Sequence, residues 1–257
     1  MALAGVASAD YVWKGGSGTI TSTDWATATN WNCTNGSTWA SGTNGPNTNG
    51  MFNTNVEINQ SITLSGFMLE GYYSKFTIKN NSTFTATFKK FQGPSDVVVD
   101  SGSTFNLTVD GDFKDGSEFT VNGTLNLDAT GDNEWSQEHV FTLGNNGSLT
   151  IANANNCGSS VTLKAQLNGD EAGVIYTRTL LTYDNASLTN VEFDFGQGWK
   201  DVEGGEITGV NQYKIANTAT GIEVSYMAVA PIPEPTTATL SLLALAGLAA
   251  RRRRASR

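Results

Sequence analysis

Charged side chains, cysteine and histidine are scarce in this sequence. Only 15% of the 257 residues are charged, and the chain contains one histidine and two cysteines. Cys33 and Cys157 are too few for a disulfide framework and do not have the spacing of a zinc site. In an oxidising compartment they could form one bridge, and the alternative is two small, partly buried residues. The sequence leaves both alternatives open.

Basic residues are scarce outside the last seven positions. Five of the six arginines lie in the segment 251–257, so residues 10–235 contain 10 Lys and Arg against 24 Asp and Glu, a formal charge of about −14. Nucleic acid and anionic lipid bind clustered basic side chains. We therefore expect no nucleic-acid partner for this part of the chain.

Signatures of catalysis are also missing from the sequence. No nucleophile-elbow or papain-like motif surrounds His139, which we interpret as a surface strand residue. Asp110, Asp112 and Asp115 miss the spacing of a calcium loop, whose twelfth position here is Val121, so we interpret this segment as ordinary turns. We predict no catalytic residue, no metal site and no cofactor, and hence a protein that is not an enzyme.

The abundant residues favour β-structure. The chain contains 33 Thr, 25 Asn and 28 Gly, a mixture typical of strands joined by tight turns. From about Val56 onward, a turn-forming cluster is followed by apolar residues at every second position, for example in residues 81–88, 102–109, 116–121 and 147–151. This alternation predicts strands with one buried face.

The spacing of these strands leaves two all-β architectures open. The matching apolar residues Phe84, Phe105, Phe119 and Leu149 are unevenly spaced and follow no strict period. Imperfect repeats are typical of an irregular right-handed β-helix, a solenoid whose coils tolerate different loop lengths. A β-sandwich or jelly roll also joins short strands by turns. We favour the β-helix, because each repeating unit has the same order, a turn followed by an alternating strand.

Both ends of this body have patterns that indicate closure. Trp13-Lys14-Gly15-Gly16 precedes a second tryptophan motif at Trp31-Asn32, and the W-x-G-G pattern resembles the opening of autotransporter-like, β-rich surface proteins. We interpret it as an N-terminal cap filled by Trp13 and Trp31, since an open solenoid end exposes strand edges. Residues 213–216 and 221–227 predict a closing hairpin.

Three other tryptophans are candidate glycan contacts. Trp39, Trp135 and Trp199 lie among Gly, Ser, Asn and Gln, and flat aromatic faces stack on the apolar faces of sugars. Core packing is the alternative for each of them. Around Trp135, the cluster Asp132, Glu134 and Glu138 is a minor candidate for cation binding or glycoside chemistry.

The first nine residues resemble the end of an export signal. Ala7-Ser8-Ala9 has the small-x-small form that signal peptidase accepts, so we expect cleavage after Ala9, with Ala7 and Ala9 as its determinants. The basic region and the longer apolar core of a full signal do not precede Ala7. The alternative is a leader without an export role.

The C-terminal tail, from about Ile232 to Arg257, combines three features in a fixed order. Pro233-Glu234-Pro235 ends strand structure and exposes an extended peptide, because proline lacks the N–H of a β-ladder. An apolar run from Ala238 to Ala250 then predicts a short helix, whose rise of about 20 Å is less than a hydrocarbon core of about 30 Å. The block Arg251, Arg252, Arg253 and Arg254 favours a cytoplasmic end.

This tail resembles the PEP-CTERM sorting domain of bacterial surface proteins. The resemblance implies that an exosortase recognises and removes the tail and delivers the protein to the cell surface or the extracellular polymer. An ordinary tail anchor is the alternative.

The predicted organisation has four parts: a residual signal peptide at 1–9, a β-rich extracellular body at 10–229, a linker at 230–235 and a transmembrane sorting segment with an arginine tail at 236–257. The predicted function is that of an exported, structural or adhesive surface or matrix protein, anchored in the inner membrane only transiently. Its predicted partners are the exosortase and extracellular polysaccharide. The alternative is a carbohydrate-binding or polysaccharide-degrading protein on a β-helix or jelly-roll scaffold.

Overall fold

A computed structural model describes residues 9–33, 51–52, 54–93, 95–113, 116–130, 138–153, 161–169, 171, 173–183 and 191–229. In chain order the elements are β1 (Ala9–Trp13), β2 (Gly18–Ile20), α1 (Ser22–Ala26), a 3-10 turn (Ala28–Asn30), β3 (Trp31–Cys33), β4 (Met51–Phe52), β5 (Thr54–Ile58), β6 (Ile62–Leu64), β7 (Leu69–Tyr72), β8 (Lys75–Ile78), β9 (Thr83–Gln92), β10 (Asp96–Val99), β11 (Thr104–Phe113), β12 (Glu118–Val121), β13 (Thr124–Ala129), β14 (His139–Leu143), β15 (Ser148–Ala152), β16 (Val161–Ala165), β17 (Tyr176–Tyr183), β18 (Val191–Asp194), β19 (Lys200–Asp201), β20 (Gln212–Thr218) and β21 (Gly221–Met227).

These strands form a β-solenoid with two long sheets. From β8 to β17 the chain alternates between the sheets, so that each strand lies parallel to the strand one coil earlier. Sheet 1 has the order β18-β16-β14-β12-β10-β8-β5-β1-β3, and sheet 2 has the order β19-β20-β21-β17-β15-β13-β11-β9-β6-β2, with β7 and β4 joined to it through β9. The prediction of an all-β solenoid is confirmed, and the sandwich alternative is wrong.

The core consists of inward columns in which equivalent residues stack from coil to coil. Neighbours in one column are register partners on adjacent strands of the same sheet. Rings one coil apart pack face to face, with centroids 5.1 Å apart for Phe84 and Phe105 and 4.7 Å apart for Phe119 and Phe141. The first column in sheet 1 is Val56, Phe76, Val97, Phe119, Phe141 and Leu163, and the first in sheet 2 is Ile62, Phe84, Phe105, Leu125 and Leu149.

These registers correct our comparison of Phe84, Phe105, Phe119 and Leu149. Phe84, Phe105 and Leu149 belong to sheet 2, whereas Phe119 belongs to sheet 1. The spacing of these four residues is irregular because they belong to two different sheets. It also leaves out Leu125, which lies between Phe105 and Leu149 in their column. Within one column the spacing is nearly constant. From β8 to β17, each coil contributes one strand to each sheet.

Asp110 and Asp112 are part of a strand, so our interpretation of them as turn residues is wrong, whereas Asp115 lies outside the described residues. Asp110, Gly111 and Asp112 lie within β11, where the register with β9 shifts between Val109 and Asp112. The shift is a bulge that bends the strand. A Cβ at Gly111 would lie 1.6 Å from the carbonyl oxygen of Lys89, so only glycine fits this close approach.

The N-terminal cap holds three buried tryptophans. Helix α1 begins with a capping box in which Thr21 and Asp24 each bond the backbone N–H of the other. The rings of Trp13, Trp25 and Trp31 contact one another, and Trp25 also stacks on Phe84 at a centroid distance of 6.0 Å. The burial of Trp13 and Trp31 agrees with the role that we expected for them.

The W-x-G-G pattern has a direct steric reason. A Cβ at Gly15 would lie 2.5 Å from the ring of Trp13, and Gly16 has a φ of +94°, a conformation that side chains disfavour. The Trp13 indole N–H donates to the carbonyl oxygen of Gly16 at 2.8 Å. Two glycines are therefore needed for the chain to fold back over the Trp13 ring.

The C-terminal end of the described body is a hairpin. Strands β20 and β21 pair antiparallel over residues 212–227, and β21 also pairs antiparallel with β17. The predicted hairpin is confirmed, with a longer first strand than expected. Across the described ranges, no helix is long and apolar enough to cross a bilayer. The predicted linker and sorting segment at 230–257, including the short apolar helix, lie outside those ranges, as does Ala7, and they stay predictions.

Candidate ligand-binding surfaces

The outward face of sheet 2 presents a column of hydroxyl and amide groups. Asn126 donates to Asn106 at 2.8 Å, and Asn106 donates to Thr85 at 3.0 Å, each across one coil. Thr150 occupies the next position of the column. Side chains that bond their neighbours along a column stiffen the stack and present a regular polar surface to solvent. The high Thr and Asn content thus has a structural role on this face.

A second surface lies where β7 pairs with the end of β9, which in turn pairs with the end of β11, and we name it the bulge patch. Within it, Glu70 lies beside Lys90 and Lys90 beside Asp112, while Tyr72 lies beside Gln92. Gln92 Nε2 donates to Asp112 Oδ2 at 2.8 Å. The bulge patch consists of Glu70, Tyr72, Tyr73, Lys90, Gln92 and Asp112.

Charges within the bulge patch nearly balance. The pKa of Lys90 is raised, chiefly by the electrostatic effect of Tyr72 and by a side-chain hydrogen bond between the two residues. Glu70 and Asp112 raise it further. The ammonium group is therefore charged at neutral pH and faces two carboxylates. A patch with one cation and two anions favours uncharged, hydroxyl-rich ligands over highly charged ones.

An acidic pair lies on the outward face of sheet 1. Asp96 and Glu118 are register partners on β10 and β12, and Lys75 is the partner of Asp96 on its other side. The pKa of Asp96 is raised, first by burial and then by the Glu118 carboxylate, against the opposing effect of Lys75. In the described part of the chain, no three potential metal ligands come together here or elsewhere.

Arg178 joins the turn between β14 and β15 to the segment that follows β16. Its guanidinium donates to the carbonyl oxygens of Gly144 and Gly147, and also to that of Gln166 at 3.2 Å. Burial lowers the pKa of Arg178, against an opposing electrostatic effect of Tyr226. This arginine ties successive coils together through backbone oxygens.

His139 is buried in the core, and our interpretation of it as a surface residue is wrong. Its ring stacks on Phe113 at a centroid distance of 3.9 Å, and its Nδ1 accepts a hydrogen bond from the Ser117 N–H at 3.3 Å. Ser95 Oγ accepts an equivalent bond from the Ser74 N–H two coils earlier. His139 therefore takes the place of a serine in an internal column.

The same burial sets the protonation of His139. Loss of solvent lowers the pKa of its imidazole from 6.5 to about 4, against a smaller opposing effect of a hydrogen bond to the Phe113 backbone. The ring is neutral at pH 7. A neutral ring enclosed in the core is suited to packing and not to proton transfer with a substrate.

Of the candidate glycan contacts, only Trp199 lies in the described residues. It is half-buried and meets Tyr226 edge-on, with a centroid distance of 5.9 Å. Trp39 and Trp135 lie outside the described residues, as do Asp132 and Glu134. The three tryptophans are therefore not shown to form one site, and their contact with glycans stays a prediction.

Two further predicted features are only partly described. Glu138, from the acidic cluster, is exposed and accepts a hydrogen bond from Thr162. Cys33 is half-buried on β3, and Cys157 lies outside the described residues. The bridge between the two cysteines stays a prediction.

Sequence reasoning named only Asp112 of the bulge patch, and it missed Tyr73 with the other four residues. Tyr73 follows Tyr72 at the end of β7, and its side chain is 61% exposed. Since successive residues of a strand point to opposite faces, two adjacent tyrosines at a strand end cannot both be core residues. That doublet was the available signal.

The fold places this chain in the class of parallel β-solenoids. Comparisons with protein-family models, with curated proteins and with solved structures find no match to it. The functional argument therefore rests on the residues of the chain itself.

Proposed function

We propose that this chain is an exported protein of the bacterial cell surface or extracellular matrix, sorted by its C-terminal segment and structural or adhesive in role. One observation carries the proposal. Pro233-Glu234-Pro235, a short apolar run and four arginines follow one another in the order that resembles the PEP-CTERM signal. An exosortase would then be the enzyme that removes the tail.

The end of the folded body supports this proposal. Strand β21 ends at Met227, Ala228 is still buried and Val229 is 55% exposed. Pro233 follows soon after Val229 in the sequence. The described core is complete before the proline-flanked glutamate, so removal of the tail leaves every described strand in place.

The surface of the body also suits a hydrated polymer matrix. A column of hydroxyl and amide groups lies on the outward face of sheet 2, and residues 10–235 carry a formal charge of about −14. A net charge far from zero keeps a protein soluble and opposes self-association. A stiff, acidic and hydroxyl-rich rod is adapted to a scaffold role between cells.

A tail variant tests the proposal. The triple change Pro233→Ala, Glu234→Ala and Pro235→Ala removes the tripeptide and keeps the apolar run and the arginines. In a host with an exosortase, we expect the variant to stay full length in the membrane fraction, while the unchanged chain is trimmed and released. Cell fractionation with intact mass spectrometry measures both.

A body variant is the matched control. Glu206→Ala also removes a carboxylate, here an exposed one in the described body, and should be trimmed like the unchanged chain. Release of the triple variant with the same new C-terminus contradicts the proposal. Equal trimming of the unchanged chain in cells that lack any exosortase does so as well.

A further inference from the structure

The backbone of Tyr73 has an unusual conformation. Its φ is +49°, in the left-handed region, where a bulky side chain is strained. The other described non-glycine residues with positive φ are four asparagines and Glu203. Asparagine tolerates this region because its short polar side chain bonds the local backbone. A tyrosine held here indicates a use for the ring.

The ring of Tyr73 rests on a glycine of the next coil. A Cβ at Gly93 would lie 3.1 Å from each of three ring atoms, Cγ, Cδ1 and Cδ2, which places Gly93 against one face of the ring. The Tyr73 N–H donates to the Gln92 carbonyl oxygen at 3.3 Å. With one face supported and 61% of the side chain exposed, the other face is open to solvent.

Residues with hydrogen-bonding side chains adjoin Tyr73, whose N–H bonds the carbonyl oxygen of Gln92. The neighbouring outward positions hold Gln92, which bonds Asp112, and Lys90, which lies between Glu70 and Asp112. An aromatic face attracts the C–H face of a sugar ring, while amide, carboxylate and ammonium groups bond its hydroxyls. The bulge patch contains both kinds of group.

We propose that the bulge patch binds a neutral glycan, with the ring of Tyr73 as the platform on which a sugar stacks. Uncharged sugars fit because the two carboxylates and one ammonium of the patch nearly balance, and because the acidic body repels anionic polymers. This inference rests on the adhesive form of the proposed function and names its ligand class.

Native gels that contain a polysaccharide test the inference with the full chain. The gels contain a detergent without sugar groups. The chain has a formal charge of −9 and therefore migrates toward the anode. Binding to the polysaccharide slows this migration relative to a gel without polymer. The probes are the neutral polymers dextran, laminarin and galactomannan, with anionic alginate as comparator. We expect retardation by at least one neutral polymer and not by alginate.

Two substitutions at one position separate binding from folding. Tyr73→Asn removes the ring, and asparagine suits the left-handed backbone, so we expect the melting temperature of the variant to be equal or higher. We expect its affinity for the polymer, measured from the retardation in the gel, to be at least tenfold weaker. Tyr73→Phe keeps the ring and should bind within about threefold of the unchanged chain.

The outcomes are distinct from those of the sorting proposal, because no host processing is involved. Failure of all three neutral polymers to retard the unchanged chain overturns the inference. Undiminished retardation of Tyr73→Asn overturns the platform role. Stronger retardation by alginate than by the neutral polymers overturns the ligand class.

Discussion

At the scale of single residues, His139 makes the stability of the body depend on pH. Its pKa is about 4 in the folded chain and 6.5 when exposed, so the unfolded chain binds the proton more tightly between these values. The stabilisation is complete above pH 6.5 and is lost as the pH falls toward 4. The total loss from this group is about 3 kcal/mol.

The substitution His139→Phe tests this dependence. Phenylalanine keeps the stack on Phe113 but does not titrate. The free energy of unfolding of the variant should therefore change less between pH 7 and pH 4.5 than that of the unchanged chain. Urea denaturation at both pH values measures the difference, and titration of the carboxylates is common to both proteins. Equal pH dependence of the two proteins contradicts the assignment.

The burial of His139 was predictable from the sequence, whereas the conformation of Tyr73 was not. Alternation along β14 puts His139 in phase with the core residues Phe141 and Leu143, and Ser117 precedes Glu118 and Phe119 in the same pattern. The positive φ of Tyr73 depends on the turn between β7 and β8. Residue type alone carries no signal for such a turn, because tyrosine usually avoids it.

At the scale of elements, the cap is the best-predicted part of the fold. The W-x-G-G pattern located it, because Gly15 and Gly16 are required by the ring of Trp13 and by a positive φ. The role of Trp25 was missed, although it is completely buried between the other tryptophans and Phe84. Its position depends on the direction of α1, which local pattern does not define.

Trp25→Ala tests the energetic importance of the cap. Removing a fully buried indole from the end of the stack should lower the free energy of unfolding by about 3 to 5 kcal/mol. Trp199→Ala is the matched control and should cost less, since Trp199 is only half-buried. Chemical denaturation followed by circular dichroism measures both. An equal or larger loss for Trp199→Ala contradicts the assignment of Trp25 to the cap.

The length of one coil does not follow from the spacing of Phe84, Phe105, Phe119 and Leu149 in the sequence. Two strands of one coil have the same turn-plus-alternation pattern, so Phe119 of sheet 1 was indistinguishable from its counterparts in sheet 2. Only the pairing of strands separates the two columns and shows that the repeat within each is nearly constant. Alternation predicts which residues are buried, and it does not say in which sheet.

At the scale of the whole molecule, the solenoid is a stack in which most strands contact only their neighbours. Stability in such a stack depends on the contacts between adjacent coils and on the closure of both ends. The described chain has a tryptophan cap at one end and the β20–β21 hairpin at the other. The tail follows the hairpin and is the part on which the proposed function depends.

The most direct test of that function is the intact mass of the protein recovered from the surface of its native host. We predict a species that begins near Asp10 and ends near Pro235, without the apolar run and the arginines. A full-length chain recovered only from the membrane contradicts sorting and leaves an ordinary tail anchor.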